Sequence, residues 1–358
     1  MTSSIADAWR LQIAYCDAHG SPFTARVLEA AWADWQQGGA LRGLLPDWPG
    51  NAWLDAVPLR VAAALHALAL DGSDAALAAL YPPATAAFDA QRGPAAVRAA
   101  LSGHSDRVAN ALLRPPQTNE IGRSAVLLGG FATVAQATGL PLATLEIGAS
   151  AGLNQLWHRY RYRLGASLAW GDAASPVLIR CDWRGTPPAL PPRIEVASHA
   201  ACDLSPIDLA APGAATRLAS YVWADQRERL ERLRAAITLA LALALRVPVE
   251  RADALAWVER ELGVVRPGQA TVLYHSIVWQ YLPPDTRNTL RSRIVAAGAR
   301  ATHTAPLAWL AFEVPDAQSP PQLTLTLWPG GEPRVLADAH AHGLFATWLD
   351  VQQAEAEQ

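Results

Sequence analysis

The sequence predicts an α/β protein in which an all-helical N-terminal region precedes a mainly parallel sheet. Three observations lead to this fold class. Residues 1–140 carry alanine and leucine at helical spacing and almost no strand pattern. From residue 142 onward, short apolar runs alternate with helical patterns, which is typical of strand–helix–strand units. The apolar run 142–147 leads into the glycine-containing loop 148–152, and at this point the helical pattern of the N-terminal region gives way to a strand pattern.

The N-terminal region, 1–140, is expected to be a helical cap. Proline and glycine clusters separate its helical patterns and mark the turns. The expected helices cover 24–36, 59–70, 74–80, 95–113 and 122–138.

The region 141–358 is expected to be one Rossmann-like, doubly wound domain. Its expected strands lie at 142–147, 194–197, 247–250, from 270 onward, and at 307–314, 322–328 and 333–336. Its expected helices lie at 153–160, 217–245, 251–262 and 285–298. The stretch 161–192 is predicted to be an insertion, with short strand candidates at 161–164 and 176–181 and a proline-rich run after them.

Composition excludes several classes of protein. Half of the residues are hydrophobic (51%), so the chain can bury a core, and no apolar run reaches the length of a membrane helix. The net charge of −3 argues against nucleic-acid binding. The chain has no lysine, which excludes a Walker A loop and a Schiff-base lysine.

Cysteine and histidine usage points to a reducing compartment and no metal site. The three cysteines are scattered, so neither a disulfide framework nor a zinc ribbon is expected. The N-terminus lacks the pattern of a secretory signal. We therefore expect a cytoplasmic protein that binds neither a metal nor a membrane.

The loop Gly148-Ala149-Ser150-Ala151-Gly152 fits two motifs. As G-x-S-x-G, it would be a nucleophile elbow, with Ser150 as nucleophile and Asp316 with His340 or His342 completing a triad. As a glycine loop between a strand and a helix, it would approach a bound cofactor. The elbow normally follows several strands, whereas this loop follows the first one, so the cofactor loop is favoured.

Each following strand also ends in polar or small residues. In an open α/β sheet, ligands bind beyond the carboxyl ends of the strands, at the point where the strand order reverses. Asp203 is suited to accept from the hydroxyls of a ribose, and Asp253 from an adenine amine, with Ala254 leaving room for the ring. His275 and Ser276 follow at the end of the next strand.

This order of motifs resembles class I S-adenosylmethionine-dependent methyltransferases over about residues 142–340. The resemblance rests on Glu146 to Gly152, Asp203-Leu204-Ser205-Pro206, Asp253-Ala254 and 272–287. It implies S-adenosylmethionine as cofactor and a small-molecule methyl acceptor, with His275 as the candidate general base. The implied cofactor-binding residues are Glu146, Gly148, Ala149, Ser150, Gly152, Asn154, Asp203, Leu204, Asp253, Ala254, His275 and Ser276. The residues expected to contact the substrate or close the pocket are Gln117, Asn119, Glu120, Arg123, Trp279 and Gln280.

Structural roles compete with several of these assignments. Asp203 and Asp253 each precede a possible helix and are also candidate N-caps. The run 117–120 is suited to a capping box, and a histidine at the end of an apolar strand often has a structural role. A ligand- or partner-binding protein without activity, built on the same fold, therefore remains an alternative, as does the serine hydrolase.

Over nearly its whole length, the chain also resembles a family of uncharacterised bacterial proteins classed as a domain of unknown function. The strings that carry this resemblance include "QTNEIGRSAVLL" (117–128), "LEIGASAGLN" (145–154), "CDLSPIDL" (202–209) and "YHSIVWQYLP" (274–283). This family resemblance implies no particular activity.

Overall fold

The computed structural model describes residues 4–243, 249–316 and 318–349, and the chain divides into two compact units. The helical unit comprises Met1–Thr118 and Ala210–Arg234, and the sheet unit comprises Asn119–Leu209 and Ala235–Gln358. This division differs from the predicted boundary at 140. Residues 119–140 belong with the sheet, and residues 210–234 belong with the helices.

The α-helices are α1 Ile5–Ala18, α2 Pro22–Gln36, α3 Ala40–Leu44, α4 Val57–Leu70, α5 Ala75–Ala78, α6 Gly93–Gly103, α7 Ser105–Leu112, α8 Ser124–Thr138, α9 Ala214–Ser220, α10 Arg227–Ala242, α11 Ala254–Leu262 and α12 Pro284–Gly298. The expected helical pattern of the N-terminal region is confirmed, although α1 and α3 were not predicted. The predicted helix 95–113 is interrupted at His104. The predicted helix 217–245 is two helices, α9 and α10, and its last two residues lie outside the described chain.

The segment between α9 and α10 joins the helical unit through hydrogen bonds. Asp225 accepts from the Phe23 amide at 3.0 Å and from the Thr24 hydroxyl at 2.9 Å, which gives one backbone N–H in the first turn of α2 an acceptor. The nominal N-cap Ser21 makes no side-chain cap bond. A residue that is distant in sequence therefore caps α2.

The strands are β1 Leu142–Ile147, β2 Arg161–Leu164, β3 Leu168–Gly171, β4 Leu178–Gly185, β5 Val196–Asp203, β6 Val249–Arg251, β7 Ala270–Ser276, β8 Leu307–Glu313, β9 Gln322–Trp328, β10 Pro333–Ala339 and β11 Phe345–Trp348. They form one mixed, mostly parallel sheet in the order β3-β2-β4-β11-β10-β9-β8-β7-β1-β5-β6. The run β6-β5-β1-β7-β8 is parallel throughout. Strand β9 is antiparallel to β8 and directly beside it.

The segment predicted as an insertion is part of this sheet. Residues 161–192 contain β2, β3 and β4, and β4 pairs in parallel with β11 near the C-terminus. The strand candidate at 161–164 is confirmed as β2, and the candidate at 176–181 overlaps β4, which begins and ends later. Strands β3 and β11 were not predicted. Pairing with a strand about 160 residues away cannot be recognised from local sequence pattern.

Alternation along β1 directs its side chains to two different layers. Leu145 and Ile147 pack in a buried cluster with α11 and α12, and Trp257 and Leu290 are among its members. Glu146 points to the opposite face, where α8 packs. The central strand therefore carries a fully apolar face and a face with one buried carboxyl group.

Within the described residues, no helix combines the length and the apolar character needed to cross a membrane.

Candidate ligand-binding site at the strand ends

The loop that follows β1 is held by protein acceptors. The amides of Gly148 and Ala149 both donate to the Cys202 carbonyl, at 2.9 and 3.1 Å. The Ser150 amide donates to Asp203 Oδ2 at 2.8 Å. The loop is thereby fixed to the end of β5, which brings two of the predicted segments together.

Gly148 has a structural reason to be glycine. Its φ of +69° lies in the left-handed region, and a Cβ atom there would come within 2.5 Å of the Val278 side chain. The sequence interpretation was that glycine leaves space for a ligand. At Gly148, this space admits Val278 instead.

The segment after the loop differs from the predicted α-helix 153–160. It is a 3₁₀ helix, Leu153–Arg159, and the chain enters β2 two residues later, at Arg161. The Leu153 amide donates to Asn119 Oδ1 at 3.0 Å. This first amide is therefore occupied, and it is not the open anion site expected of a helix N-terminus.

Several buried polar atoms beside this loop have no hydrogen-bond partner in the described part of the chain. They are Ser150 Oγ, Asn154 Oδ1 and both carboxamide atoms of Gln155. Ser150, Asn154 and Gln155 are only 3%, 2% and 0% exposed. Native proteins pair nearly all such groups with protein or with another molecule, because an unpaired buried polar group costs about 1–3 kcal/mol.

Glu146 lies beneath the same loop, on the α8 face of the sheet. It is 2% exposed, and its Oε2 accepts a hydrogen bond from the Tyr274 hydroxyl at 3.0 Å. Burial raises the pKa of Glu146 to about 8, with a smaller contribution from the negative charge of Asp203. The carboxyl group is therefore mainly protonated at neutral pH.

The residues predicted to hold ribose and adenine lie next to each other at one edge of the sheet. Asp203 accepts from the Ser150 and Ser205 amides, and its carbonyl accepts from the Ala252 amide at 3.1 Å. Asp253 is exposed and is the N-cap of α11, where it accepts from the Leu255 and Ala256 amides. This N-cap role was the alternative to adenine binding in the sequence analysis. Leu204 is 75% exposed.

Ala254 begins α11 directly after Asp253 and is partly buried. Gly152 is the N-cap of the 3₁₀ helix and has a φ of +76°. Gly152 therefore lies in the loop after β1, whereas Ala254 lies in the first turn of the helix after β6.

His275 lies on the other face of the sheet, in a complete hydrogen-bond network. Its Nδ1 is 2.6 Å from Glu313 Oε1, and its Nε2 accepts from the Trp309 indole N–H at 2.9 Å. An indole N–H only donates, so Nε2 carries no proton and Nδ1–H donates to Glu313. The imidazole is therefore neutral, and both of its nitrogens are occupied.

A cavity of about 540 Å³ borders this network. Trp279 stacks on His275 with ring centroids 4.9 Å apart, and Gln280 lies beside it. The floor is the exposed side of β8 and β9, and α12 forms one wall with Arg287 and Arg291.

Of the six residues predicted to contact the substrate or close the pocket, one belongs to the helical unit and five belong to the sheet unit. Gln117 belongs to the helical unit and is half-buried. Asn119 holds the Leu153 amide, and the carbonyl of Glu120 accepts from Asn154 Nδ2 at 3.4 Å. Arg123 donates to the carbonyl of Ser276 at 2.9 Å, which links the end of β7 to this cluster. Asn119 and Glu120 thus adjoin the segment after the β1 loop, and Arg123 adjoins the end of β7.

Sequence reasoning missed Tyr274, Gln155 and Glu313. Tyr274 is in register with Glu146 on the neighbouring parallel strand, a pairing that no local pattern reveals. Gln155 lies in the predicted helix after the loop, and its polarity beside the glycine motif was the one available signal. Glu313 ends β8, as His275 comes near the end of β7, and it belongs to the series of strand-end polar residues.

The serine-hydrolase triad is not assembled in the structure. Ser150 Oγ has no hydrogen-bond partner in the described chain, so neither candidate histidine contacts it. Asp316 accepts from Gln318 and Ser319 in its own exposed turn. His340 Nδ1 accepts from the His342 amide.

The fold and the site define a mixed α/β protein with a polar loop at the carboxyl end of β1. The family described as an uncharacterised protein conserved in bacteria (DUF2332) matches residues 6–348, so the chain belongs to this family. This confirms the resemblance to an uncharacterised bacterial family. Comparisons with curated proteins and with solved structures gave no match.

Proposed function

We propose that this protein binds S-adenosylmethionine at the carboxyl ends of β1, β5 and β6 and methylates a small molecule. The observation that carries the proposal is the group of buried, unpartnered polar atoms on Ser150, Asn154 and Gln155. A polar ligand that hydrogen-bonds to these atoms would offset the free-energy cost of burying them without partners. These residues fit a cofactor with a polar amino-acid part.

Strand order supports this type of ligand. The parallel run β6-β5-β1-β7-β8 has the order 3-2-1-4-5 when its strands are numbered along the chain. The order reverses at β1, and ligands bind beside such a reversal in open α/β sheets. Adjacent antiparallel β9 departs from the methyltransferase pattern, in which a helix usually follows the fifth strand.

The proposed cofactor contacts follow a continuous path along this edge. Gln155 and Asn154 would bind the amino-acid part, and Asp203 the ribose hydroxyls. Asp203 is within hydrogen-bond distance of both the loop after β1 and the segment before α11. Asp253, which begins α11, would then lie beside the adenine. In this arrangement Ser150 is a ligand contact and not a nucleophile.

Little acid–base chemistry is required of the chain. When bound, S-adenosylmethionine supplies a methyl group already activated by a sulfonium, so the protein has to align the acceptor and exclude water. The cavity lined by His275, Trp279 and Gln280 offers a place for a small acceptor. Because both nitrogens of His275 are occupied, we assign no proton transfer to it.

The same occupied nitrogens favour a second candidate function. A protein with no free base at the end of β7 is also suited to bind the ligand without turnover. Methyl transfer from labelled S-adenosylmethionine to members of an acceptor library separates the two functions. Binding without transfer to any acceptor would favour the non-catalytic protein.

Calorimetric titration of the full chain with S-adenosylmethionine tests the proposal. Asp203→Asn keeps an acceptor for the Ser150 amide but removes the charge, and we expect at least tenfold weaker binding. Asp182→Asn is the matched control, because this carboxylate on β4 is exposed and pairs only with Arg184 among the described residues. Absence of binding to the unaltered protein would overturn the proposal, as would equal affinity of the two variants. Labelling of Ser150 by a fluorophosphonate would favour the hydrolase instead.

Affinity should also depend on pH through Glu146. A cationic ligand beside the loop favours the ionised carboxylate, so binding should strengthen as the pH rises from 6 to 8. Glu146→Gln should flatten this dependence. A pH profile that is identical in the variant would exclude Glu146 from the site.

A further inference from the structure

A second concave site lies in the helical unit and is independent of the strand-end loop. Helices α4, α7 and α9 enclose a cavity of about 250 Å³. Four arginines line it, Arg60, Arg107, Arg114 and Arg217, against one carboxylate, Asp71. This excess of positive charge occurs in a chain whose net charge is −3.

Two of the arginines are held by the fold. Arg60 is 7% exposed, and it donates to the carbonyls of Asp55 and Leu112. Arg107 forms an ion pair with Asp71 at 2.6 Å and donates to the Ser73 hydroxyl. Asp71, the one carboxylate that lines the cavity in the described part of the chain, is therefore already paired.

The other two arginines have no counter-ion among the described residues. Neither Arg114 nor Arg217 makes an ion pair or a side-chain hydrogen bond in the described part of the chain, and the Nε of Arg217 is buried without a partner. Arg114 is exposed and Arg217 is half-buried, so water screens part of the repulsion between their like charges. An anion in the cavity would relieve this repulsion.

The remaining lining is suited to a small ligand. Ala63, Ala64 and Ala67 form a wall of small side chains on α4. Tyr221 also faces the cavity, and burial raises the pKa of its phenol, so the hydroxyl remains a hydrogen-bond donor. Guanidinium groups bind phosphate oxygens in a bidentate manner, and more than one negative charge is needed to balance unpaired Arg114 and Arg217.

We propose that this cavity binds a small phosphate-bearing molecule through Arg114 and Arg217. The unpartnered guanidinium groups provide the charge, and the alanine wall provides the space. The site is distinct from the proposed cofactor site and does not depend on it.

Calorimetric titration of the full chain with inorganic pyrophosphate, at constant ionic strength, tests the site. We expect saturable binding that weakens at least tenfold in Arg217→Gln and in Arg114→Gln. Arg10→Gln is the matched control, since this side chain on α1 is 75% exposed and pairs only with Asp7 in the described chain. Circular dichroism and thermal unfolding establish that each variant is folded.

The possible results separate the explanations. No binding of pyrophosphate by the unaltered protein, or equal weakening in Arg10→Gln, would overturn the site. Citrate that binds as tightly as pyrophosphate would overturn the assignment to phosphate. S-adenosylmethionine binding should be unchanged in Arg217→Gln, so failure of this site and failure of the proposed function are distinguishable.

Discussion

The carboxyl ends of neighbouring strands β1 and β7 differ in whether their buried polar groups have hydrogen-bond partners. After β1, Ser150, Asn154 and Gln155 bury polar atoms that have no partner in the described chain. At the end of β7, both nitrogens of His275 are occupied, by Glu313 and Trp309. A complete network stabilises a fold by itself, whereas unpaired buried groups cost free energy that a bound molecule would offset.

Both strand ends contain a non-glycine residue in the left-handed region. Ser150 has a φ of +54°, and Ile277 has a φ of +52°. Such a conformation costs about 1–3 kcal/mol and is found often at ligand sites. Strain therefore does not distinguish the two strand ends, and the difference between them lies in hydrogen bonding.

The largest expected effect concerns Glu146, the buried carboxyl group of β1. Its pKa is about 8 in the folded protein, against 4.5 for the free group, so folding is favoured by protonation. This stabilisation is complete below pH 4.5 and is lost as the pH rises through 8. In urea unfolding at pH 5, Glu146→Gln and the unaltered protein should have similar free energies of unfolding. The variant should be the more stable at pH 8, with the difference growing by up to about 1.4 kcal/mol per pH unit.

The comparison between these two proteins isolates Glu146 from other titrating groups. Buried His66 and half-buried His158 have pKa values lowered to about 4, mainly by desolvation, which makes both proteins lose stability in acid. A difference between the proteins that does not change from pH 5 to pH 8 would show that Glu146 is ionised in the folded protein.

A smaller effect should follow from breaking the network at β7. Glu313→Ala leaves the His275 Nδ1–H and the Val278 amide without their acceptor, and we expect a loss of about 2–4 kcal/mol in the free energy of unfolding. Glu313→Gln keeps an acceptor and should lose less. Equal losses in urea unfolding would mean that the charge of Glu313, and not its hydrogen bonds, stabilises this strand end.

The smallest effect should come from the β1 side, with the opposite sign. Gln155→Met removes two unpartnered polar atoms from a fully buried position, so the ligand-free protein should gain about 1–2 kcal/mol. The same variant should bind S-adenosylmethionine more weakly. Asn119→Leu is the contrasting control, because it deprives the Leu153 amide of its acceptor and should destabilise. Destabilisation by Gln155→Met would contradict the contrast between the strand ends.

Local pattern was sufficient to predict much of the fold. The strand at 142–147, its following loop and the strand beginning at 270 are where the sequence placed them, because a short apolar run bounded by turn residues is a strong signal. The location of Asp203 and Asp253 at strand ends follows from the same pattern. Their contacts do not, because an acidic residue before a helix is equally suited to cap it.

The sequence by itself determined the α/β fold class, the helical N-terminal region and the parallel strands at the centre of the sheet. It also determined the position of the loop 148–152, beside which polar residues cluster. It did so because these features depend on neighbours within a few residues. Tertiary structure alone decided that 161–192 joins the sheet, that Asp225 caps α2, and that Glu146 meets Tyr274. It also decided which polar groups found partners, because burial and hydrogen bonding depend on strands and helices brought together from distant parts of the chain.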